Sequence, residues 1–324
     1  MLFSVLIPNR GYKESFRKCI QSIKNQEIDE SFSYELIVCD QSEPEDRTMI
    51  KKALDDIIGE NNYQFIQSGE RGVLISRHKL LQEANGDYIV FIDSDDYVEN
   101  SYLKNIYNFL NNHNYPDIFI HNFLFDDGGE IRPNILPSQI NDHIKDYFFF
   151  SDLLNPVVTK TFKRNLYNVA DYTDFITQNG DDWVLSYPIM KKAKTIVSDF
   201  SFFGYYYQIN NDSVTHRISL DVAKRTLSFR IGYEEFDNMS EFQNTILTKH
   251  FIGTFNYLLR RLNIAGESST NIKSFVRFAR HIIFDETTCT RKDFLSNKEM
   301  LIYLFLKYKL YGLILVLFRR SKKS

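Results

Sequence analysis

Three aspartates, Asp93, Asp95 and Asp96, fall within four residues where the apolar run "GDYIVFID" ends. Carboxylates this close repel one another unless a cation or ordered donors offset them. A hard divalent ion, held by one or two carboxylates together with substrate phosphates, is the usual solution. A cap on the helix that begins near Glu99 explains one aspartate and not three. A second acidic pair, Asp181 and Asp182, opens the helical stretch "DDWVLSYPIMKK", where the helix dipole favours acids. Other chemistries fit poorly. Ser76 and Ser94 lack a base arrangement, there is no Gly-x-Ser-x-Gly elbow, and "SGERGV" is not followed by the Lys-Ser/Thr of a phosphate loop.

The elements that must position these acids alternate regularly. "FSVLIP", "YELIVCD", "YQFIQ", "DYIVFID" and "DIFIHNFLF" read as strands. Between them "SFRKCIQSIKNQ", "RTMIKKALDDII", "VLISRHKLLQEA" and "NSYLKNIYNFLNN" read as helices, the first placing Phe16, Cys19, Ile20 and Ile23 at helical spacing. This is the pattern of a mostly parallel α/β sheet flanked by helices, in which ligands sit beyond the carboxyl ends of the strands. Pro8-Asn9-Arg10-Gly11, Asp40-Gln41-Ser42, Ser68 to Gly72 and Asp93 to Asp96 all follow a strand, so one edge gathers them. Tyr205, Tyr206 and Tyr207 continue a further apolar strand. "DDGGEIRPNILPSQIND" breaks the pattern and reads as a connection within one catalytic domain, between residues 1–125 and 138–220.

With 324 residues, 43% hydrophobic and 15% aromatic, the chain buries a substantial core and is not disordered. Its net charge of −3 hides an asymmetry: residues 251–324 carry 14 basic and 5 acidic side chains, a net +9 against −12 for residues 1–250. Such a basic tail suits a polyanion. The anionic inner leaflet is favoured over nucleic acid, because no zinc spacing, RNA-binding signature or recognition-helix pattern accompanies the charge. Cys19, Cys39 and Cys289 are odd in number and widely spaced, and no leader pattern opens the chain, so it reads as cytosolic and reduced. The apolar segment Leu301 to Phe318 is interrupted by Lys307 and Lys309, and its clean run from Leu310 is short of the ~20 residues that a spanning helix needs. Tyr303, Tyr308, Tyr311 and the basic Arg319-Arg320-Ser321-Lys322-Lys323 tail fit a helix lying peripherally at the inner face of the cell membrane. Burial against the body or in a homo-oligomer is the other reading these residues leave open.

In order along the chain, three segments resemble the family 2 glycosyltransferases of the GT-A fold. "SVLIPNRGYKESFRKCIQSIKNQ" is similar to their opening strand, loop and helix, and "YELIVCDQSEPEDRT" to their second strand with its nucleoside-binding aspartate. "GERGVLISRHKLLQEANGDYIVFIDSDD" is similar to their Gly/Arg segment and metal motif. The resemblance implies a GT-A catalytic domain over residues 1–220 and a helical C-terminal region over 221–324. It implies inverting, metal-dependent transfer of a sugar from a nucleotide donor, a UDP-sugar for preference, to a saccharide acceptor. A lipid-linked glycan in surface-polysaccharide assembly would suit the basic tail. Two rivals remain: a nucleotidyltransferase or phosphohydrolase using the same aspartates, and a catalytically silent membrane-associated binding module.

The resemblance also implies roles. Asp40 matches the aspartate that accepts a hydrogen bond from the base, which suits the N3–H of uracil. Arg77 matches an arginine lining the nucleotide pocket, and Pro8, Gly72 and Ser94 lie in the same donor-binding segments. Asp93 and Asp95 form the Asp-x-Asp motif, the first toward the ribose and the second toward Mn²⁺ or Mg²⁺ on the diphosphate, with Asp96 in support. Where the family has Pro-Thr-Tyr-Asn, this chain has Pro8-Asn9-Arg10-Gly11, so Arg10, or Tyr12 from a shifted loop, stands in for the base-stacking aromatic. The family's acidic pair puts the general base at Asp182 and the first acid at Asp181, with Trp183 either facing an acceptor sugar or packing. "NNDSVTHR" resembles a loop closing over the phosphates, where His216 would complete the metal sphere or touch the diphosphate and Arg217 would meet phosphate; simple exposure is the plainer reading of the histidine.

Overall fold

The structure is a computed structural model that describes residues 1–172, 180–209, 219–228, 239–287 and 295–320. The chain forms two compact units. Met1–Asn141, Asn155–Thr177 and Asp181–Asn210 make the first; Asp142–Leu154, Gln178–Gly180 and Asn211–Ser324 make the second. The stretch Asp142–Leu154, read from sequence as part of the acceptor half, therefore groups with the C-terminal residues.

In the first unit, the apolar runs become a seven-stranded sheet of β1 (Leu2–Asn9), β2 (Ser33–Asp40), β3 (Gln64–Gln67), β4 (Tyr88–Phe91), β6 (Ile118–His121), β9 (Lys160–Lys163) and β10 (Ile196–Asp199). Their order is β10-β6-β9-β4-β1-β2-β3. All pairings are parallel except those of β9, which runs antiparallel to both β4 and β6. The helices α1 (Glu14–Lys24), α2 (Pro44–Ile57), α3 (Val73–Glu83) and α4 (Tyr102–Asn112) each follow a strand, and α6 (Asp181–Lys192) precedes β10. Phe16, Cys19, Ile20 and Ile23 are all buried, as the spacing in α1 requires. Pro8 is tolerated inside β1 because the ladder with β4 ends at Leu6 and Phe91, so its missing N–H breaks no strand pairing.

A smaller sheet, order β5-β11-β7-β8, comprises β5 (Tyr97–Val98), β7 (Leu124–Asp127), β8 (Glu130–Pro133) and β11 (Tyr205–Gln208). Two sequence expectations change here. "DIFIHNFLF" is not one strand: β6 joins the large sheet and β7 the small one. The stretch around Gly128 and Gly129 is not a plain connection but a β7–β8 hairpin, whose two glycines take φ of 61° and 102°, a turn most side chains resist.

In the second unit, α5 (Ile144–Phe150), α7 (Leu220–Ser228), α8 (Glu241–Ile264), α9 (Ser269–His281), α10 (Asn297–Lys307) and α11 (Tyr311–Arg320) form a helical assembly. Ser240 with Gln243 and Ser296 with Glu299 make capping boxes that start α8 and α10. Phe255 of α8 stacks on Phe275 of α9, at 5.7 Å between centroids. The C-terminal apolar segment is two helices: α10 ends at Lys307 with Tyr308 as its cap, and Lys309 turns the chain at φ 58° before α11. Among the described residues, no helix is long and apolar enough to cross a membrane.

Lys160 on β9 is an unusual core residue, 1% exposed, with its Nζ donating to the Asn155 and Pro156 carbonyls at 3.1 and 2.8 Å. Burial pushes its ammonium down from 10.5 to about 7, although nearby Asp182 favours the charged form. The unfolded chain therefore binds the extra proton between about 7 and 10.5. The stability owed to this residue is complete above that window and is lost as pH falls through about 7. Urea unfolding of wild type and Lys160→Met at about pH 6.5 and about pH 9.5 checks this. The stability difference, wild type minus variant, is expected to grow at the higher pH, by at most about 1.4 kcal/mol per pH unit.

Candidate active site

The loops at the carboxyl edge are tied to one another. Gln41 N–H donates to the Asn9 carbonyl at 3.0 Å, and Ser68 N–H to the Asp40 carbonyl at 2.9 Å. The Gln41 side chain pairs with the backbone of Gly72 in both directions, at 2.9 and 3.0 Å. Gly72 sits at φ 139° immediately before α3, a conformation that favours glycine and launches the helix carrying Arg77.

Asp40 ends β2 fully buried. Its carboxylate accepts from Asn9 Nδ2 at 3.0 Å, from Ser42 Oγ at 2.5 Å and from Arg47 Nε at 3.2 Å. A buried acid needs donors, and here three neighbours supply them. Ser42 also accepts from Gly11 N–H at 2.7 Å, fixing the loop that exposes Arg10 and partly exposes Tyr12.

Asp93, Ser94, Asp95 and Asp96 form a tight turn closed by Asp96 N–H donating to the Asp93 carbonyl at 3.0 Å. They cap nothing, since α4 starts only after Ser101. Asp96 is sealed from solvent: its oxygens accept from the Tyr205 hydroxyl at 2.6 Å and from Gln208 N–H at 2.8 Å. Tyr205 in turn accepts from Asp93 N–H at 3.2 Å, so β11 is clamped to the turn. Burial and the Asp93 charge hold the Asp96 carboxyl well above its usual range.

Arg77 is the centre of the site. It is 3% exposed, and its two Nη atoms reach different carboxylates: Nη1 donates to Asp182 Oδ1 at the start of α6, and Nη2 to Asp93 Oδ1 at 3.1 Å. The acids it holds remain accessible, with side chains 31% and 33% exposed for Asp93 and Asp182. Burial raises the Asp93 pKa, as do Asp182 and Asp95, against the lowering effect of Arg77. Trp183, next on α6, is 1% exposed and lies 4.9 Å from the Tyr187 ring; of its two expected roles the structure supports packing. Asp181 is half-buried beside it. His216 and Arg217 lie outside the described residues.

Hard oxygen donors in this crowd fit a divalent cation. Asp96 is committed to Tyr205 and Gln208, while the Asp95 carboxylate makes no hydrogen bond or ion pair among the described residues. Asp95 and Asp93 are thus the residues that would hold the ion. Among the described residues, no group of three or more His, Cys, Asp or Glu converges on one point, so substrate oxygens would have to complete its shell.

The model of the family described as "Glycosyl transferase family 2" matches residues 4–170, more than half of the chain. The chain belongs to glycosyl transferase family 2. Among its relatives, the putative glycosyltransferase EpsH of Bacillus subtilis is 24% identical over 147 residues, covering 45% of this chain and 41% of EpsH. The poly(ribitol-phosphate) β-N-acetylglucosaminyltransferase TarP of Staphylococcus aureus is 23% identical over 276 residues, covering 83% of this chain and 78% of TarP. The structure of S. aureus TarS residues 1–349 in complex with UDP-GlcNAc superposes with a TM-score of 0.64 at 16% identity, covering 95% of this chain and 88% of that one. This supports the expected GT-A-like α/β fold with its helical C-terminal segment.

Sequence reading placed the family 2 acids but not their connections. It gave Tyr205 and Gln41 a place but no partner, and did not single out Lys160. Arg77→Ala would strand two carboxylates, and is expected to cost roughly 1–3 kcal/mol. Arg77→Lys, which keeps the charge without the fork, is expected to retain part of that stability. Urea denaturation of both variants measures this, and an Arg77→Ala protein as stable as wild type would contradict the bridge.

Proposed function

We propose that this family 2 protein is an inverting, divalent-metal-dependent transferase that moves a sugar from a UDP-sugar to a surface polymer or its lipid-linked precursor. A poly(ribitol-phosphate) chain, named for TarP, is the first acceptor to try. The observation that carries the reading is the Arg77 fork, which holds the motif aspartate Asp93 beside the helix-borne acid Asp182.

Asp182 acts as the general base. Anchored by one oxygen at a helix start, it is oriented to take the proton of an acceptor hydroxyl as that oxygen attacks the sugar carbon, and the diphosphate leaves from the opposite side. A divalent ion on Asp95 and Asp93 would stabilise the charge developing on the leaving diphosphate. Asp40 orders the loops bordering the base and accepts a hydrogen bond from the uracil N3–H. Arg10 or Tyr12 covers the base, while Pro8, Gly72 and Ser94 shape the donor loops, with His216 and Arg217 assigned to the phosphates. A phosphohydrolase would have no use for Asp182.

Transfer assays with UDP-GlcNAc test this. Asp182→Asn is expected to lower kcat by about 10²- to 10⁴-fold while UDP affinity holds. Asp95→Ala is expected to abolish the part of UDP binding that calorimetry shows to depend on Mn²⁺. Asp182→Asn at full turnover would sink the base assignment.

The protein works at the inner face of the membrane. Leu310, Leu313 and Val316 at α11 are 45%, 47% and 48% exposed, close to the basic Lys307 and Lys309. Lysines beside an apolar surface suit anionic headgroups. Vesicles containing anionic lipid are expected to sediment with the wild-type protein and less with Leu313→Asp/Val316→Asp; equal sedimentation would contradict the assignment.

A further inference from the structure

Strand alternation puts Tyr205 and Tyr207 of β11 on one face, with Tyr206 on the other, stacked on Tyr97 at 4.6 Å. Tyr205 is sealed between Asp93 and Asp96, but Tyr207 is only half-buried. Its ring is braced by Phe123 and Phe125, both centroids at 5.9 Å. Burial, together with the carboxylates of Asp96, Asp95, Asp93 and Asp182, pushes its phenol up to about 12, so the hydroxyl keeps its proton at neutral pH. That hydroxyl nevertheless makes no hydrogen bond among the described residues. Of these acids, Asp96 is committed to Tyr205 and Gln208, and Asp93 and Asp182 are held by Arg77.

Resting on the transferase reading above, we propose that Tyr207 contacts the sugar being transferred, its O–H hydrogen-bonding a sugar oxygen between the Asp93–Asp95 turn and Asp182. The reacting carbon has to lie between the carboxylates that face the diphosphate and the carboxylate that takes the acceptor proton. β11 carries Tyr207 past this space: its strand neighbours Tyr205 and Gln208 bond Asp93 and Asp96 of the turn, and Arg77 ties Asp93 to Asp182. An anionic group is a poor occupant for a space facing four acids, whereas an uncharged, hydroxyl-rich ring suits it. A neutral phenol can donate to such a ring, or accept from it, without adding charge. Tyr207 is thus a determinant of which sugar the site accepts.

Calorimetric titration of wild type and Tyr207→Phe with UDP, UDP-GlcNAc and UDP-glucose, all with Mn²⁺, tests this. Removing only the hydroxyl is expected to leave UDP affinity unchanged, which also reports an intact fold, and to weaken whichever UDP-sugar the wild type prefers by about 3- to 10-fold. Equal effects on UDP and UDP-sugar, or no effect on either, would overturn the role of Tyr207 while leaving the transferase reading standing. A wild-type protein that binds none of the three would overturn the transferase reading, and this proposal with it.

Discussion

One buried guanidinium organises the chemistry of this protein. Arg77 leaves α3 beneath the carboxyl edge of the sheet and divides its fork between Asp93 and Asp182, carboxylates from a strand end and a helix start. Two acids brought this close to Asp95 and Asp96 would repel one another; the shared cation lets them face the same space while still exposed enough to meet a substrate. The rest of the site depends on where this group sits. Gly72 allows the turn that starts α3, and Gln41 grips that turn from the end of β2.

The aspartates of the turn, similar in sequence, have separate tasks because their surroundings differ. Asp96 is a structural acid, spent on Tyr205 and Gln208 to hold the small sheet against the large one's edge. Asp95 carries no such duty among the described residues. Asp93 is shared, paired with Arg77 through one oxygen. The same logic separates Asp40, which locks the neighbouring loop through Asn9, Ser42 and Arg47, from the acids that face the substrate space.

Much of this was legible in the sequence. Short apolar runs and helical spacing located the strands and helices of residues 1–125, apart from the division of "DIFIHNFLF" between two sheets, and the strand-end rule placed four loops on one edge. What escaped were long-range pairings with no local signature. Nothing in "KTFK" announces an antiparallel strand between two parallel ones, or a lysine in the core. The partnership of Arg77 and Asp182 spans 105 residues, so no local pattern contains it. Trp183 looks like a sugar platform on composition, and only packing reveals that its ring is covered. The glycine pair at Gly128 was visible as a hairpin signal but reads equally as a break, and the turn at Lys309 places a lysine at a positive φ that its type does not favour.

The central claim is a single displacement, with Asp182 taking the proton from the attacking oxygen. Following donor hydrolysis by proton NMR tests it without any assumption about the acceptor, since water takes the acceptor's place. From the α-linked sugar of UDP-GlcNAc, attack from the Asp182 side must release the β anomer first. Initial release of the α anomer would require a covalent intermediate or attack from the leaving-group face, and would contradict the account.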